Sequence, residues 1–409
     1  MMAATALSAA AATEVSAQAF EPDGSIVLND QENFADVIAG QTLNVVGATG
    51  QITRSTSALG NSLSGSVQNA PLQLGSRQTM GGDAIATTTI APAGDTEGVV
   101  NVITQAGGNY LAAGVYGASA SVAPTQVTGP GEISAGSGLT GGTARLIGGG
   151  SIATSAIANT TALGGTGAII VGTTTQSSDA SVRASNLVEA QYIPASADVS
   201  AQAVGNFVSA NTQGSSYQEL QVRQTSTGTV ITADASANAG NAWDLAGRAN
   251  AAANQAALAN QGGAMISRFD QTNGSAVRST ARVTAYDFGA AVVSASGAGN
   301  QASASNNDRY LKIDNAQLNT GGVEVQATMS GTNGYDAYVS ADAVGNSVTG
   351  YACSDCTGTL TATNSQNNSG NVSATAATTI RGANRSVITG VNAVGNSATF
   401  YVSRPSSGD

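Results

Sequence analysis

The chain repeats itself about every 48 residues, and this period limits the possible folds more than any other feature. An asparagine marks each copy, at intervals of 46–50 residues, and glycine usually precedes it. A fixed period of this length is typical of solenoid proteins, in which each repeat packs only against its neighbours. The eight marker residues are Asn61, Asn109, Asn159, Asn206, Asn254, Asn300, Asn346 and Asn396.

A glutamine marks the same period a second time, 29–33 residues before each asparagine. Two independent markers with one period indicate eight copies of a single unit. Amide side chains that stand at the same point of stacked strands can hydrogen-bond to one another in ladders. We therefore predict that the asparagines and glutamines form the structural ladders of the scaffold. The glutamines are Gln31, Gln78, Gln126, Gln176, Gln224, Gln271, Gln317 and Gln366.

Between the markers, small or apolar residues alternate with polar ones, as in residues 321–327 and 338–344. This alternation has the period of a half-buried strand. One segment, residues 235–259, is rich in alanine and also suits a helix by intrinsic propensity. Because both markers keep their spacing through that segment, we favour strands there as well.

The spacing of the last copy indicates a smaller unit. Asn346, Asn371 and Asn396 are 25 residues apart, which divides each repeat into two rungs. The sequence thus predicts an all-β solenoid of about 16 rungs of ~24 residues, a rod about 75 Å long at roughly 4.8 Å per rung.

Composition supports a solenoid and excludes some functions. Aromatic residues make up 4% and charged residues 10% of the chain, whereas an ordinary globular domain has about 25% charged residues. A disordered chain combines low hydrophobicity with high charge, but here 41% of the residues are hydrophobic. The net charge of −11 and the lack of any basic cluster argue against nucleic-acid binding.

The N-terminus predicts export. Residues 1–13 are small and apolar, and Ala17-Gln18-Ala19 offers a cleavage site of the A-x-A kind. We expect residues 1–19 to be a signal peptide or its remnant, and residues 20–409 to form a single repeat-built domain. An ordinary N-terminal segment is the alternative, since a basic stretch is missing and Glu14 interrupts the run.

The only two cysteines, Cys353 and Cys356, form a C-x-x-C motif seven residues after Asn346. A redox role needs this motif at the start of a helix in a βαβ unit, and structural zinc needs two more cysteine or histidine ligands. The chain has no histidine. We favour a disulfide, which fits an oxidising compartment.

Familiar catalytic sites are not predicted. Without histidine, the Ser-His-Asp triad and histidine-based metal centres are excluded. Carboxylates such as Asp234, Asp244 and Asp270 are scattered among turn residues, so a polysaccharide-degrading β-helical enzyme is the least favoured function. We predict no catalytic, metal or cofactor site. Tyrosines of the C-terminal half can stack on sugar rings or serve as packing residues. They are Tyr310, Tyr335, Tyr338, Tyr351 and Tyr401.

Residues 202–210 and 391–398, which share the block Ala-Val-Gly-Asn, resemble the curlin repeat of amyloid-like β-solenoids. The rungs here are longer, and glutamine and Gly-Asn fall mostly on alternate rungs. As a whole, the chain resembles the holdfast anchor proteins of stalked alphaproteobacteria, through its size, its repeated Ala-Val-Gly-Asn blocks and its composition.

This resemblance implies a secreted protein at the cell surface, associated with the outer membrane, that helps to attach an adhesive polysaccharide to the cell. It implies two kinds of protein partner, other holdfast anchor proteins and a curli-secretion-like outer-membrane lipoprotein. The alternative is a curlin-like matrix fibre subunit that polymerises by itself. The ends of a solenoid offer unpaired backbone groups for self-association in either case.

Overall fold

The structure is a computed structural model that describes residues 24–352 and 358–403. Every regular element in these ranges is a strand. The predicted signal peptide, residues 1–19, lies outside the described residues, as do Cys353 and Cys356 of the predicted disulfide. Nor do the described residues include a helix long and apolar enough to cross a membrane.

The strands, in chain order, are β1 (Ser25–Asn33), β2 (Val37–Val45), β3 (Ile52–Gln68), β4 (Leu72–Met80), β5 (Ala84–Pro92), β6 (Asp95–Thr96), β7 (Val100–Tyr116), β8 (Ser119–Thr128), β9 (Glu132–Leu146), β10 (Gly150–Thr166), β11 (Ile169–Ser178), β12 (Ser181–Gln213), β13 (Tyr217–Ser226), β14 (Val230–Asn260), β15 (Ala264–Asn273), β16 (Ala276–Asn306), β17 (Tyr310–Asn319), β18 (Val323–Ala352), β19 (Thr359–Asn368), β20 (Val372–Ile380) and β21 (Ser386–Val402).

These strands wind into coils with three sides, and each side stacks in parallel on the same side of the next coil. The Gln face, which carries the marker glutamines, is the sheet β1-β4-β8-β11-β13-β15-β17-β19. The Val face consists of β2, β5, β9, the first parts of β12, β14, β16 and β18, and β20. The Asn face consists of β3, β7, β10, the second parts of those four long strands, and β21.

The described strands form eight coils, one for each repeat. Coils one to three contain β1–β3, β4–β7 and β8–β10. Coils four to seven each contain two strands, the pairs β11–β12, β13–β14, β15–β16 and β17–β18, because one long strand there runs through both the Val and the Asn face. Coil eight contains β19–β21.

The predicted all-β solenoid is confirmed, but its division into rungs of ~24 residues was wrong. Residues in the same column of the stack are 46–50 residues apart, so each repeat of about 48 residues is one full coil. Asn371, which gave the half-repeat, lies in the turn before β20 and outside the column of marker asparagines. Three sides and their corners use up the whole repeat, and eight coils at about 4.8 Å give a height of about 38 Å, half the predicted value.

The alanine-rich residues 235–259 are extended, within β14 (Val230–Asn260), as favoured from the sequence. Ala235, Ala237 and Ala251 are buried in the interior between adjacent coils. Packing against the neighbouring coils therefore overrides the helical propensity of alanine.

The interior is narrow and consists of columns of small apolar side chains. One column on the Val face begins at Val37 and reaches Val372 through one residue of each intervening coil. A second cluster lies between the Gln face and the far part of the Asn face, and includes Phe269, the largest fully buried side chain. Burial of each valine or isoleucine contributes about 1.5–3 kcal/mol, so a chain with few aromatics can still stabilise this fold.

Within the described residues, the first and last coils each have a neighbouring coil on one side only. The inward side chains of these coils are partly exposed for that reason. At the first coil they include Val37, Ala39 and Val45, and at the last coil Val372, Ala374 and Ile380.

Candidate functional site

The structure places the eight marker asparagines in one column on the Asn face. Each Nδ2 donates a hydrogen bond of 2.8 Å to Oδ1 of the asparagine in the following coil, from Asn61 to Asn396. The second N–H of each donor reaches a backbone carbonyl on the Gln face, as from Asn206 to Thr225 O at 2.8 Å. Asn206 itself is fully buried. We call this column the Asn ladder.

The eight marker glutamines form a second column, the Gln ladder, whose hydrogen bonds point the opposite way. Each Nε2 donates to Oε1 of the glutamine in the preceding coil at 2.7–2.9 Å, from Gln366 back to Gln31. Its second N–H bonds to the carbonyl that follows the ladder asparagine, as from Gln224 to Gln255 O at 3.0 Å. Together the ladders hold the Gln and Asn faces against each other.

A steric constraint explains why glycine usually precedes the marker asparagine. A Cβ at Gly205 would lie 2.6 Å from the carbonyl oxygen of Ala253 in the next coil, and one at Gly345 would lie 2.5 Å from Gly395 O. The backbones of adjacent coils therefore approach closely beside the ladder. Two coils carry Ala158 and Ala253 at this point and accommodate a methyl group.

Sequence reasoning missed two further sets of buried polar contacts. Asn273, Asn319 and Asn368 form a short ladder at 2.6–2.7 Å, and each stands two residues after a marker glutamine, a spacing visible in the sequence. Hydroxyl groups between the Val and Asn faces form a zigzag in the early coils. Its members are Thr56, Thr88, Thr104, Ser137 and Thr154.

The corner between the Val and Asn faces departs from the repeat. Coils three to eight each place one large side chain there, an arginine, a tyrosine or a tryptophan, and we call the set the aromatic corner. Its members are Arg145, Tyr192, Trp243, Tyr286, Tyr335 and Arg385. Three of the aromatic rings are mostly exposed, with exposed fractions of 57% for Trp243, 60% for Tyr286 and 53% for Tyr335.

Members of the aromatic corner contact one another across coils. The Trp243 and Tyr335 rings meet edge to face with centroids 6.0 Å apart. The guanidinium of Arg385 lies 5.6 Å from the Tyr335 ring centroid, and that of Arg145 lies 5.5 Å from the Tyr192 ring centroid. Such cation–π contacts hold exposed rings in place.

Trp243 and Tyr335 belong to coils five and seven, and Gly289 of coil six lets them meet. A Cβ at Gly289 would lie 2.4 Å from Trp243 O and 3.1 Å from its ring atom Cδ2. Polar groups stand beside the rings, since Asn333 Nδ2 donates to Asp287 Oδ1 at 3.0 Å. Tyr192, Trp243 and Tyr335, together with Asn241 and Asp287, line a shallow cleft of about 250 Å³.

A groove on the Asn face begins with the residues that follow this cleft along the chain, such as Asp244 and Ala290. Its two adjoining parts have volumes of about 590 and 330 Å³, and both touch Arg248. The groove is lined by small polar side chains such as Ser200, Gln202 and Asn250. Arg248 pairs with Asp198 of the preceding coil at 3.0 Å. We call this surface the Asn-face groove.

Two carboxylates have shifted pKa values. A hydrogen bond and the charge of Arg385 lower the pKa of Asp336 at the aromatic corner, against a smaller opposing effect of desolvation. At Asp234 on the Val face, burial raises the pKa, and the hydrogen bond from Thr280 and the nearby arginines only partly offset it.

The candidate acids of the sequence are not brought together. Asp234 lies on the Val face, Asp244 just after the aromatic corner, and Asp270 on the Gln face. Within residues 24–352 and 358–403, no group of three potential metal ligands occurs.

The predicted tyrosines have separate positions. Tyr335 belongs to the aromatic corner, Tyr338 follows it in β18 (Val323–Ala352), and Tyr310 begins β17 (Tyr310–Asn319). Tyr351 and Tyr401 stack in adjacent coils, with ring centroids 5.7 Å apart. Trp243 and Tyr286 were missed, because they do not recur at the period of the repeat and no sequence signal joins them to Tyr335.

In a comparison with known protein families, one family model matches the chain. The family model of holdfast attachment protein D matches residues 46–322, about two thirds of the chain. This range runs from the first corner between the Val and Asn faces to the residue before β18, and it includes Trp243 and the Asn-face groove. The match confirms the resemblance to the holdfast anchor proteins, and to holdfast anchor protein D in particular. No curated protein and no solved structure matches the chain.

Proposed function

Because the chain belongs to the holdfast attachment protein D family, we propose that it is a cell-surface anchor that fastens an adhesive polysaccharide to the cell envelope. The observation that carries this proposal is the family match over residues 46–322, which include Trp243 of the cleft and the whole Asn-face groove. The fold supports it, since a ladder-bonded solenoid presents a long, ordered surface at a small cost in conformational entropy on binding.

We propose that the polysaccharide lies along the aromatic corner and the Asn-face groove. The C–H face of a sugar ring packs on an exposed indole or phenol ring, and its hydroxyl groups bond to amides and carboxylates such as Asn333 and Asp287. Side chains of several coils then act on one polymer, and their weak contacts combine by avidity.

The partners and location follow from the same family. We propose that the chain is exported, stays associated with the outer membrane, and works with other holdfast anchor proteins and a curli-secretion-like lipoprotein.

Deletion of the gene tests the anchor function. We expect the mutant to synthesise adhesive polysaccharide but to shed it into the medium, where a labelled lectin detects it. If the adhesive stays on the mutant cells, the proposed function is wrong.

Point variants test the contact surface. We expect Trp243→Ala and Tyr335→Ala to reduce binding of the purified chain to the isolated adhesive, measured by co-sedimentation. The control is Tyr116→Ala, which removes a tyrosine of similar exposure, 46%, at the far end of β7 (Val100–Tyr116). Equal binding by all three variants would remove the aromatic corner from the proposal and leave the anchor function standing.

A matrix fibre subunit is the second candidate. The first and last coils favour it, because each has a neighbouring coil on one side only within the described residues. That function predicts filaments from the purified chain alone that bind thioflavin. The two functions differ in what surface attachment needs, since an anchor predicts that attachment requires the partner proteins and a fibre subunit that polymerises by itself predicts that it does not.

A further inference from the structure

The two ladders leave different groups unused at the two ends of the described solenoid. Every bond of the Asn ladder is donated toward the last coil. Asn61 in the first coil therefore has an Oδ1 that accepts no bond from the described residues. Asn396 in the last coil accepts from Asn346 at 2.8 Å, and its own Nδ2 donates to no described residue. The Asn ladder ends in an acceptor at the first coil and in a donor at the last.

The Gln ladder has the reverse polarity. In the first coil, Gln31 Nε2 donates one N–H to Ser62 O at 3.0 Å, and the N–H that would continue the ladder has no partner among the described residues. In the last coil, Gln366 Oε1 accepts only a long bond of 3.4 Å from Asn364. This ladder ends in a donor at the first coil and in an acceptor at the last.

From these polarities we infer that two copies of the chain join head to tail, with the last coil of one copy seated on the first coil of the next. Asn396 Nδ2 of one copy then donates to Asn61 Oδ1 of the other, and Gln31 Nε2 of the second copy donates to Gln366 Oε1 of the first. Both ladders continue across the junction with the polarity that they have inside the chain. The junction thus repeats the contact between any two adjacent coils.

The apolar columns support the same junction. The column that begins at Val37 ends at Val372, and the column that begins at Ala39 ends at Ala374. Head-to-tail joining sets valine on valine and alanine on alanine, and it covers side chains that are now only partly buried. It also continues the parallel pairing of the backbone on all three faces.

Joining two first coils reverses one copy, so that the strands at the junction run antiparallel. Where like columns meet, the Asn ladder then sets acceptor against acceptor and the Gln ladder donor against donor. A buried amide without its partner costs free energy, so the ladders favour an open, polar chain of copies over a closed pair. This inference does not depend on the proposed attachment function.

The strength of the junction is tested with Asn396→Asp. The carboxylate still accepts the bond from Asn346, but it replaces the outward donor by an acceptor. We expect association of the full chain, measured by sedimentation velocity over a range of concentrations, to weaken about tenfold or more. The matched control is Asn392→Asp, which adds the same charge to an exposed position of the same strand and should associate like the wild type. A wild-type chain that stays monomeric, or equal effects of the two variants, would overturn the inference.

The direction of joining is tested with single cysteines in a background where Cys353 and Cys356 are replaced by serine. Ser62 and Ser397 directly follow the two terminal ladder asparagines, so head-to-tail joining brings them to about 4.8 Å between strands. We expect a mixture of Ser62→Cys and Ser397→Cys chains to give the mixed pair with a short thiol cross-linker, and each variant alone to give little product. Pairs of identical variants as the main product, or a wild-type assembly that stops at two copies, would show a closed dimer and overturn the inference.

Discussion

The Asn ladder and the aromatic corner are built on opposite principles. In the Asn ladder the same residue stands at the same point of all eight coils, and each side chain is the hydrogen-bond partner of the next. At the aromatic corner six successive coils contribute six side chains of three kinds, arginine, tyrosine and tryptophan, and the rings are exposed to solvent. Repetition is required where the coils hold one another together, and variation is tolerated where they do not. Residues that break the repeat are therefore the ones available for binding.

The largest effect separates the interior from the corner. Phe269→Ala removes the largest fully buried side chain and leaves a cavity, so we expect it to lower the free energy of unfolding by about 3–5 kcal/mol. Trp243→Ala, at 57% exposure, should change it by less than about 1 kcal/mol. Guanidinium unfolding followed by far-UV circular dichroism measures both. Similar losses for the two variants would show that the corner contributes as much to stability as the interior.

A substitution in the middle of the Asn ladder should cause the next largest loss of stability. Asn206→Ala leaves the Nδ2 of Asn159, the Oδ1 of Asn254 and the Thr225 carbonyl without their partner. Unsatisfied buried groups cost about 1–3 kcal/mol each, and we expect a total loss of about 2–4 kcal/mol after relaxation. The control is Asn396→Ala at the ladder end, where only the bond from Asn346 is lost and the loss should stay below about 1 kcal/mol. The same unfolding assay ranks the two, and equal losses would show that the ladder does not act through its buried middle.

A substitution at Gly289 tests the contact between Trp243 and Tyr335 at the aromatic corner. Gly289→Ala places a methyl group 2.4 Å from Trp243 O, so the tryptophan must move; we expect a loss of about 1–2 kcal/mol. Trp243 is the only tryptophan of the chain, and its fluorescence emission should shift as it leaves Tyr335. Gly390→Ala has no heavy atom within 4 Å of the new Cβ and should change neither property. An unchanged emission spectrum in Gly289→Ala would contradict the described contact.

The smallest expected effects are changes in the pH dependence of stability, which have opposite signs at Asp234 on the Val face and at Asp336 at the aromatic corner. Burial raises the pKa of Asp234, so its charged form destabilises the fold above that pKa. Asp234→Asn should therefore raise the unfolding midpoint at neutral pH, with the gain vanishing as the pH falls through the Asp234 pKa toward the unfolded value near ~3.9.

At the aromatic corner the charged carboxylate of Asp336 stabilises the fold, so its effect on stability has the opposite sign. Arg385 lowers the pKa of Asp336, so the stabilisation is present above the unfolded value near ~3.9 and is lost as the pH falls through the lower folded pKa. Asp336→Asn should lower the midpoint slightly at neutral pH and leave it unchanged in strong acid. Thermal melts between about pH 2 and pH 7 measure the unfolding midpoints of both variants. Midpoint changes of the same sign at neutral pH would contradict the opposite roles of Asp234 and Asp336.

The sequence was informative wherever the repeat was regular. The sixteen marker asparagines and glutamines, which share one period, predicted the solenoid. The structure places these same residues in two columns. The number of coils was misjudged because Asn371 lies in a turn that copies the local Gly-Asn pattern without joining the ladder. The positions of the three corners in each coil depend on the lengths of the strands. The period of the repeat alone does not give those lengths.

The aromatic corner could not be read from the sequence. Trp243 and Tyr335 are separated by almost two full coils, and their contact requires both the coil length and the gap at Gly289. A ring at one position of one copy carries no periodic signal. Only the stacked coils show that these six side chains share one edge.

The stacking of coils on three faces also governs how the protein bears mechanical load. Tension applied along the stacking axis, through ligands held on the flanks of distant coils, strains the hydrogen bonds of all three faces between two coils at the same moment. Tension applied to one end of the polypeptide instead peels the outermost coil and breaks those bonds in succession. An attachment that grips the sides of the stack will therefore withstand far more drag from flowing water than one that hangs from a terminus.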